Sequence, residues 1–495
     1  MFVSRNALLI LGTVLCVLLY VSTSSIRLLL HHELDSKGSS LRSVRDQKEN
    51  VSARDSQPER VSHSEKYVES LCAGKSNLQA GAFPSQQEKV VARTSRDLDG
   101  WLWDDELDSE RKFRMKTPVS SSNSTLGHSS LEIDFVFKWV DGSRLPHSQR
   151  KVYWERVLSD KLRMGPSGME CPAIDIQQNS VRRERDNLEL LFALRSLHMY
   201  APWFRHIFIV VEGPHMIPNW LLMDHPRLSI IFHSDIFPEP QAEYLPTFNG
   251  HAVGSVLHRI PCLSENYIAM DDDYFFTAKV VPENFFHIVS GQIVGPTAVQ
   301  EGREVVPRSQ KECYGAHHHD AINMNSAFMM STITDTLKVS PEVGLKEFRR
   351  MLHEPYASSV SAHQHILEDL FPNETAALRA HRFRTKSDFH VEALAFNIAL
   401  NSNILQLDGQ VAMGRASTLK CAFTAFTVGD ADTVFKRLKR IASEKQFMGI
   451  NDDMGEVSFD RDVMTSFYTE LWPKAAPWEN TSAVAAVVIS KYMPN

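Results

Sequence analysis

An α/β fold, with a mainly parallel sheet flanked by helices and a less regular C-terminal helical part, follows from three observations. Between residues 133 and 276, short runs of β-branched and aromatic residues alternate with segments of helical periodicity. The runs are apolar throughout, as strands covered on both faces are. Acidic residues stand just past the ends of two runs, where open parallel sheets bind ligands.

The elements follow in order. IDFVFKWV (133–140) is a strand stopped by the turn Asp141-Gly142-Ser143. Residues 149–160 form a helix. RDNLELLFALRSLHM (185–199) places Leu188, Leu191, Leu194 and Leu197 at helical spacing, and Asp186 or Asn187 is expected to cap that helix. HIFIVVE (206–212) and LSIIFH (228–233) are strands, AVGSVLHRI (252–260) a helix. NYIAM (266–270) is a strand that runs into Asp271-Asp272-Asp273. Beyond Val281 regularity falls. Residues 303–320, with His317-His318-His319-Asp320, read as a polar loop, because three successive histidines do not readily face one ion. Helices are expected at 344–352, 363–370, 391–400 and 433–445. No internal repeat is visible.

The 495 residues are 43 % hydrophobic, enough for a large folded head plus tails, and the net charge of −7 excludes the basic signature of a nucleic-acid binder. Residues 7–30 hold the uncharged run ALLILGTVLCVLLYV and read as a transmembrane signal-anchor after a cytosolic tail at 1–6; the competing reading is a cleaved signal peptide. Residues 31–130, rich in Ser, Arg, Asp and Glu, read as a flexible stem. The head spans 131–480, and 481–495 is expected to be a tail. Sequons at Asn50, Asn123, Asn373 and Asn480 agree with a luminal head. Of six cysteines, Cys16 lies in the apolar run. The other five leave one thiol free or paired between chains, and the latter would give a homodimer.

Four constellations can carry chemistry. Three adjacent carboxylates, Asp271 to Asp273, repel one another unless a cation sits among them, and carboxylates suit Mg²⁺ or Mn²⁺; the bland alternative is a solvated acidic turn. Trp139 and Asp141, at a strand exit, can meet a base and a ribose, or simply end a strand. Asp186 and Asn187 precede a helix. His353, Arg384 and the pair Asp452-Asp453 are scattered; a histidine can accept a proton, an arginine can clamp phosphate, and an acidic pair can complete a metal shell.

These blocks, in this order, resemble the Stealth family, which includes bacterial capsule polysaccharide phosphotransferases and the animal N-acetylglucosamine-1-phosphotransferase α/β subunit. IDFVFKWVDGS is similar to its first block. RERDNLELLFALRSLHMYAPWFRHIFIVVEG through LPTFNGHAVGSVLHRIPCLSENYIAMDDDYFF is similar to its second. HEPY, FPNET and RFR are similar to its third, INDD with PKAAPWE to its fourth. The resemblance implies transfer of a sugar 1-phosphate from a UDP-GlcNAc or GDP-Man type donor to a glycan or glycoprotein hydroxyl, in a Golgi membrane protein with a luminal head. It implies Asp272, Asp273 and Asp452 as ligands of Mg²⁺ or Mn²⁺, His353 as general base, Arg384 as phosphoryl clamp with Asp452 beside them, and Trp139, Asp141, Asp186 and Asn187 in the donor pocket. Asp271 stands where the family usually has Asn, and Gly254 where it commonly has Glu, so Asp271 is expected to replace part of the lost carboxylate. A conventional metal-dependent glycosyltransferase and a non-catalytic glycan-binding protein are the competing functions.

Overall fold

The computed structural model describes residues 131–162, 184–291, 293–295, 318–336, 348, 351, 353–401, 413–416, 421–427, 431–453 and 458–492. All belong to the compact unit Tyr67–Asn495. The anchor at 7–30, the stem, Asn50, Asn123, Cys72, Cys171, Cys313, residues 303–317 and nearly all of the helix expected at 344–352 lie outside them. Among the described residues no helix is long and apolar enough to cross a membrane.

The chain opens with β1 (Ile133–Lys138) and α1 (Leu145–Leu162), then α2 (Glu189–Tyr200), β2 (Ile207–Val211), β3 (Leu228–Phe232), the short α3 (Gly250–Gly254) and β4 (Asn266–Asp271). Next come β5 (Tyr274–Phe276), β6 (Ile293–Gly295), α4 (His318–Thr336), β7 (Tyr356–Ser359), α5 (Pro372–Ala380) and α6 (Val391–Leu400). The chain continues through β8 (Met413–Ala416), β9 (Cys421–Thr427), α7 (Ala431–Glu444), β10 (Phe447–Asp453), α8 (Ser458–Leu471) and α9 (Thr481–Tyr492).

The main sheet has five strands in the order β3-β2-β1-β4-β7. All pair in parallel except the edge strand β7, which runs against β4. Every residue of β2 and β3 is buried, the reason both runs lack alternation. Their large side chains each contribute roughly 1.5–3 kcal/mol on burial. The strand order reverses beside β1: the chain builds outward to β3, then returns to place β4 on the other side. Such a switch leaves a crevice at the carboxyl ends of β1 and β4.

A second sheet, β5-β10-β9, grows from the turn after β4. The Ile450 N–H donates to the Asp273 carbonyl at 3.1 Å, so the middle of β10 meets the turn where β4 ends. The Phe275 and Trp472 rings stack with centroids 4.7 Å apart, and Trp472 Nε1 donates to the Phe276 carbonyl at 2.9 Å. Buried Arg195 of α2 grips Glu479 at 2.9 and 2.8 Å, drawing the C-terminal block onto the core.

Three expectations need correction. Residues from His318 are helical, not loop, because they open α4. Residues 481–492 are not a tail but α9, whose Val484 joins the main core. Neither Asp186 nor Asn187 is the N-cap of α2; Leu188 holds that position in the left-handed region, with φ of 69°. The sequons at Asn373 and Asn480 are exposed, and Cys262 is disulfide-bonded.

At the opposite end of the sheet, Asp134 is fully buried on β1. It accepts from Arg205 Nε at 2.8 Å and from the Ser264 N–H at 2.8 Å, with Arg205 Nη2 on its second oxygen. Replacing Arg205 by Met would leave a buried charge without its counter-ion. Urea unfolding is expected to show a loss of about 3–5 kcal/mol; a loss under about 1 kcal/mol would mean that water already screens the pair.

Candidate active site at the carboxyl ends of β1 and β4

In the parallel register, Lys138 at the end of β1 lies opposite Asp271 at the end of β4. Lys138 Nζ is 3.0 Å from Asp271 Oδ1 and 3.7 Å from Glu392 Oε1 on α6. Burial opposes the ammonium charge, but Asp271 and Glu392 outweigh it and hold Lys138 above the usual lysine range. Both carboxyls are held below theirs: burial works against each, and Lys138 overcomes it. Asp271 is therefore neutralised by a lysine.

Glu392 also corrects the reading of Gly254. A Cβ on Gly254 would lie 3.5 Å from Glu392 Oε1, so the carboxylate beside that position comes from α6. Asp271 lies near enough to Glu392 for their charges to repel, and Lys138 bridges the two.

The two distant residues arrive at the same place. Arg384 is close enough to Lys138 for their charges to repel. Its Nη2 would be 3.2 Å from a Cβ on Gly250, a close approach that suits a residue without a side chain. His353 is near enough to Asp271 for its charge to favour the carboxylate. The Nδ1 atom of His353 pairs with the Tyr274 hydroxyl at 3.0 Å, and its ring stacks on Phe423 with centroids 4.2 Å apart.

Asp452 reaches the cluster on β10. Arg185 binds it with two bonds, at 2.7 and 2.8 Å, and Asn187 Nδ2 donates to it at 3.0 Å. Asn187 also donates through its N–H and Nδ2 to Glu189, the latter bond 2.7 Å long. Asp186 Oδ1 accepts the Leu188 N–H at 3.1 Å, which holds Leu188 in its left-handed conformation. The segment 184–189 is thus a strap drawn tight across the end of β10.

No three His, Cys, Asp or Glu side chains among the described residues form a ready-made ion cage. The chemistry of the cluster nevertheless fits a hard cation. The Asp272 carboxyl is pushed well above the usual range by burial, then by the charges of Asp273, Asp271 and Asp186. Glu189 is pushed up by burial, Asp186 and Asp272. Asn187 Oδ1 is buried and accepts no hydrogen bond from any of the described residues. An all-oxygen set short of positive charge suits Mg²⁺ or Mn²⁺. Asp272 and Asp273 fit directly; Asp452 would have to share oxygens that Arg185 already holds.

The expected donor-pocket residues divide. Asp186 and Asn187 stand at the acidic cluster. Asp141 is spent on its own turn, accepting from the Ser143 N–H at 3.1 Å and from Arg144 Nε at 3.0 Å. Trp139 is 5 % exposed, so its ring packs in the core and does not stand open for a base. Lys138 and Glu392 were not singled out in the sequence; Arg185 and Glu189 stood beside Asp186 and Asn187 in a motif that was, without a role of their own. Lys138 had one usable signal, a charge at the end of an apolar strand; Glu392 had none.

Residues 183–294 match the family model for Stealth protein CR2, conserved region 2. That stretch is therefore similar to the second conserved region of the Stealth family. This chain is 28 % identical over 403 residues to an exopolysaccharide phosphotransferase of Streptomyces coelicolor, covering 79 % of itself and 58 % of that protein. It is 44 % identical over 115 residues to the N-acetylglucosamine-1-phosphotransferase subunits alpha/beta of Homo sapiens, covering 23 % and 9 %. It is 32 % identical over 170 residues to the capsular polysaccharide phosphotransferase LcbA of Neisseria meningitidis, covering 34 % and 42 %. The chain thus spans somewhat over half the length of the exopolysaccharide phosphotransferases it matches.

A second ionic network flanks the crevice. His147 of α1 contacts Glu212 through Nδ1 and lies 3.3 Å from Glu184 through Nε2, while Lys151 holds Glu184 at 2.7 Å and Arg150 holds Glu212 at 2.9 Å. Burial disfavours the imidazolium, but the bonds to Glu184 and Glu212 raise His147 from 6.5 to about 9. A raised histidine stabilises the fold fully below its unfolded value and stops doing so as pH climbs through its folded value. Chemical denaturation should therefore show a decline of roughly 3–4 kcal/mol between about pH 6.5 and 9. The decline should be absent from His147→Gln; its persistence there would assign it to another group.

Proposed function

We propose that this chain transfers a sugar 1-phosphate from a nucleotide-sugar to a glycan hydroxyl, releasing the nucleoside monophosphate. The observation that carries the reading is the meeting of His353 and Arg384 with the Asp271–Asp273 turn at the sheet's switch point. The names of its relatives, phosphotransferases of exopolysaccharide, capsule and N-acetylglucosamine 1-phosphate, support the same reaction.

The balance is simple. The acceptor oxygen forms a bond to the β-phosphorus, the bond from that phosphorus to the bridging oxygen breaks, and the acceptor proton goes to His353. Arg384 offers paired N–H donors to the phosphoryl oxygens as charge shifts toward the leaving group. Asp272 and Asp273, with Asp452, would hold Mg²⁺ or Mn²⁺, which supplies charge neutralisation for the diphosphate. Asp186 and Asn187 border the donor. Lys138 keeps Asp271 from adding a net charge to the crevice. Phosphoryl transfer asks mainly for positioning and electrostatics, which this convergence provides. The donor is of the UDP-GlcNAc or GDP-Man type, and an anchor at 7–30 would hold the head in the Golgi lumen.

The test incubates the full chain with Mn²⁺, a panel of UDP- and GDP-sugars and simple glycosides, and identifies the nucleotide released. UMP or GMP is the expected product. UDP or GDP would overturn the reading in favour of sugar transfer. Asp272→Asn, His353→Ala and Arg384→Ala should each lower the rate about 100-fold or more. Full activity in any of them removes that residue from the mechanism.

A further inference from the structure

Arg384 lies between α5 and α6 on a stretch without helix or strand. Nothing in the local backbone pattern fixes such a residue. Asp388, fully buried, supplies the constraint. Its Oδ1 accepts from Thr385 Oγ1 at 2.8 Å and meets His381 Nδ1 at 2.7 Å. Its Oδ2 accepts the Thr385 N–H at 3.0 Å and Asn249 Nδ2 at 2.8 Å. Asn325 Nδ2 donates to the Asp388 carbonyl at 2.9 Å and to the Lys386 carbonyl at 2.8 Å.

The other end of this network is equally ordered. Asn249 caps α3 by accepting the His251 N–H at 3.0 Å. The Phe248 N–H donates to the Arg382 carbonyl at 2.7 Å, and the Phe248 and Phe383 rings stack with centroids 5.0 Å apart. Residues on both sides of Arg384 are therefore joined, through one carboxylate, to the segment 247–251 that its guanidinium crosses at Gly250.

We propose that Asp388 is the positioning residue of Arg384: it clamps the 381–388 loop onto 247–251 and aims the guanidinium at the phosphoryl oxygens of the donor. This rests on the role given above to Arg384. A carboxylate is an acceptor at both oxygens, and it faces donors on both. An amide of the same shape would put an N–H₂ against one of those donors, loosening the loop without opening a cavity. A guanidinium displaced by about an ångström loses on the order of 100-fold in rate.

Asp388→Asn, Arg384→Ala and the double variant of the full chain test this. Limited tryptic digestion, read by mass spectrometry, should show cleavage after Arg382, Arg384 or Lys386 about ten- to 100-fold faster in Asp388→Asn, with cleavage elsewhere unchanged. Unchanged cleavage at these sites overturns the inference whatever the activity. In the nucleotide-release assay Asp388→Asn should lose about 100-fold in kcat with KM little altered, and should cost nothing further in the Arg384→Ala background. An equal loss in both backgrounds also overturns it. A chain whose loop loosens but whose parent releases neither UMP nor GMP upholds the clamp and sinks the proposed reaction. Thr385→Val, which deletes one bond to the same carboxylate, is the milder second variant should Asp388→Asn not fold; it should show the same pattern at smaller amplitude, and a pattern that is absent counts against the clamp.

Discussion

The ion pair between Lys138 and Asp271 sits where the two halves of the main sheet diverge, and the crevice is organised around it. The parallel register of β1 and β4 brings the two residues side by side. Glu392 approaches the same ammonium from α6, and Arg384 and His353 lie within reach of its field and that of Asp271. Without the lysine, the buried Glu392 carboxylate and the half-buried Asp271 would repel each other, and a buried charge left without its partner is costly. With it, a crevice rich in carboxylates keeps both signs of charge close together, which suits a metal on one side and phosphoryl oxygens on the other.

Local order is spent on the same region. The strap at 184–189 holds a leucine in a left-handed conformation, buries Asn187 and Glu189, and ties Arg185 to Asp452. Burial and like charges push the Glu189 and Asp272 carboxyls upward. Such groups oppose stability and persist because the surrounding core over-determines them. That core includes the stacked Phe275 and Trp472 and the buried Arg195–Glu479 pair, which bring α8 and the C-terminal block against α2.

The four parallel strands of the main sheet were legible because their burial on both faces writes continuous apolar runs into the chain; the edge strand β7, with the sequence YASS, carries no such run. The end of β4 was legible for a different reason: charge cannot continue into a buried strand, so three aspartates mark its exit. β5 and β10 were not legible as strands. Tyr274–Phe276 is too short to show a period, and Phe447–Asp453 carries glycine and three polar residues because its carboxyl end lines the site. Trp139 misled in the other direction. An aromatic residue at a strand exit fits stacking on a base as well as core packing, and only its neighbours in space decide between them.

By itself, the sequence determined the α/β class, the positions of the four parallel strands of the main sheet, the acidic turn and the order of the similarity blocks. These depend on local composition and periodicity, which are present in the chain before it folds. The tertiary structure decided which distant groups share one field: Glu392 beside Gly254, Arg185 on Asp452, Arg384 over Gly250 and Asp388 behind it. Those pairings join residues up to 267 positions apart. They depend on sheet order and loop closure, and no local pattern encodes either.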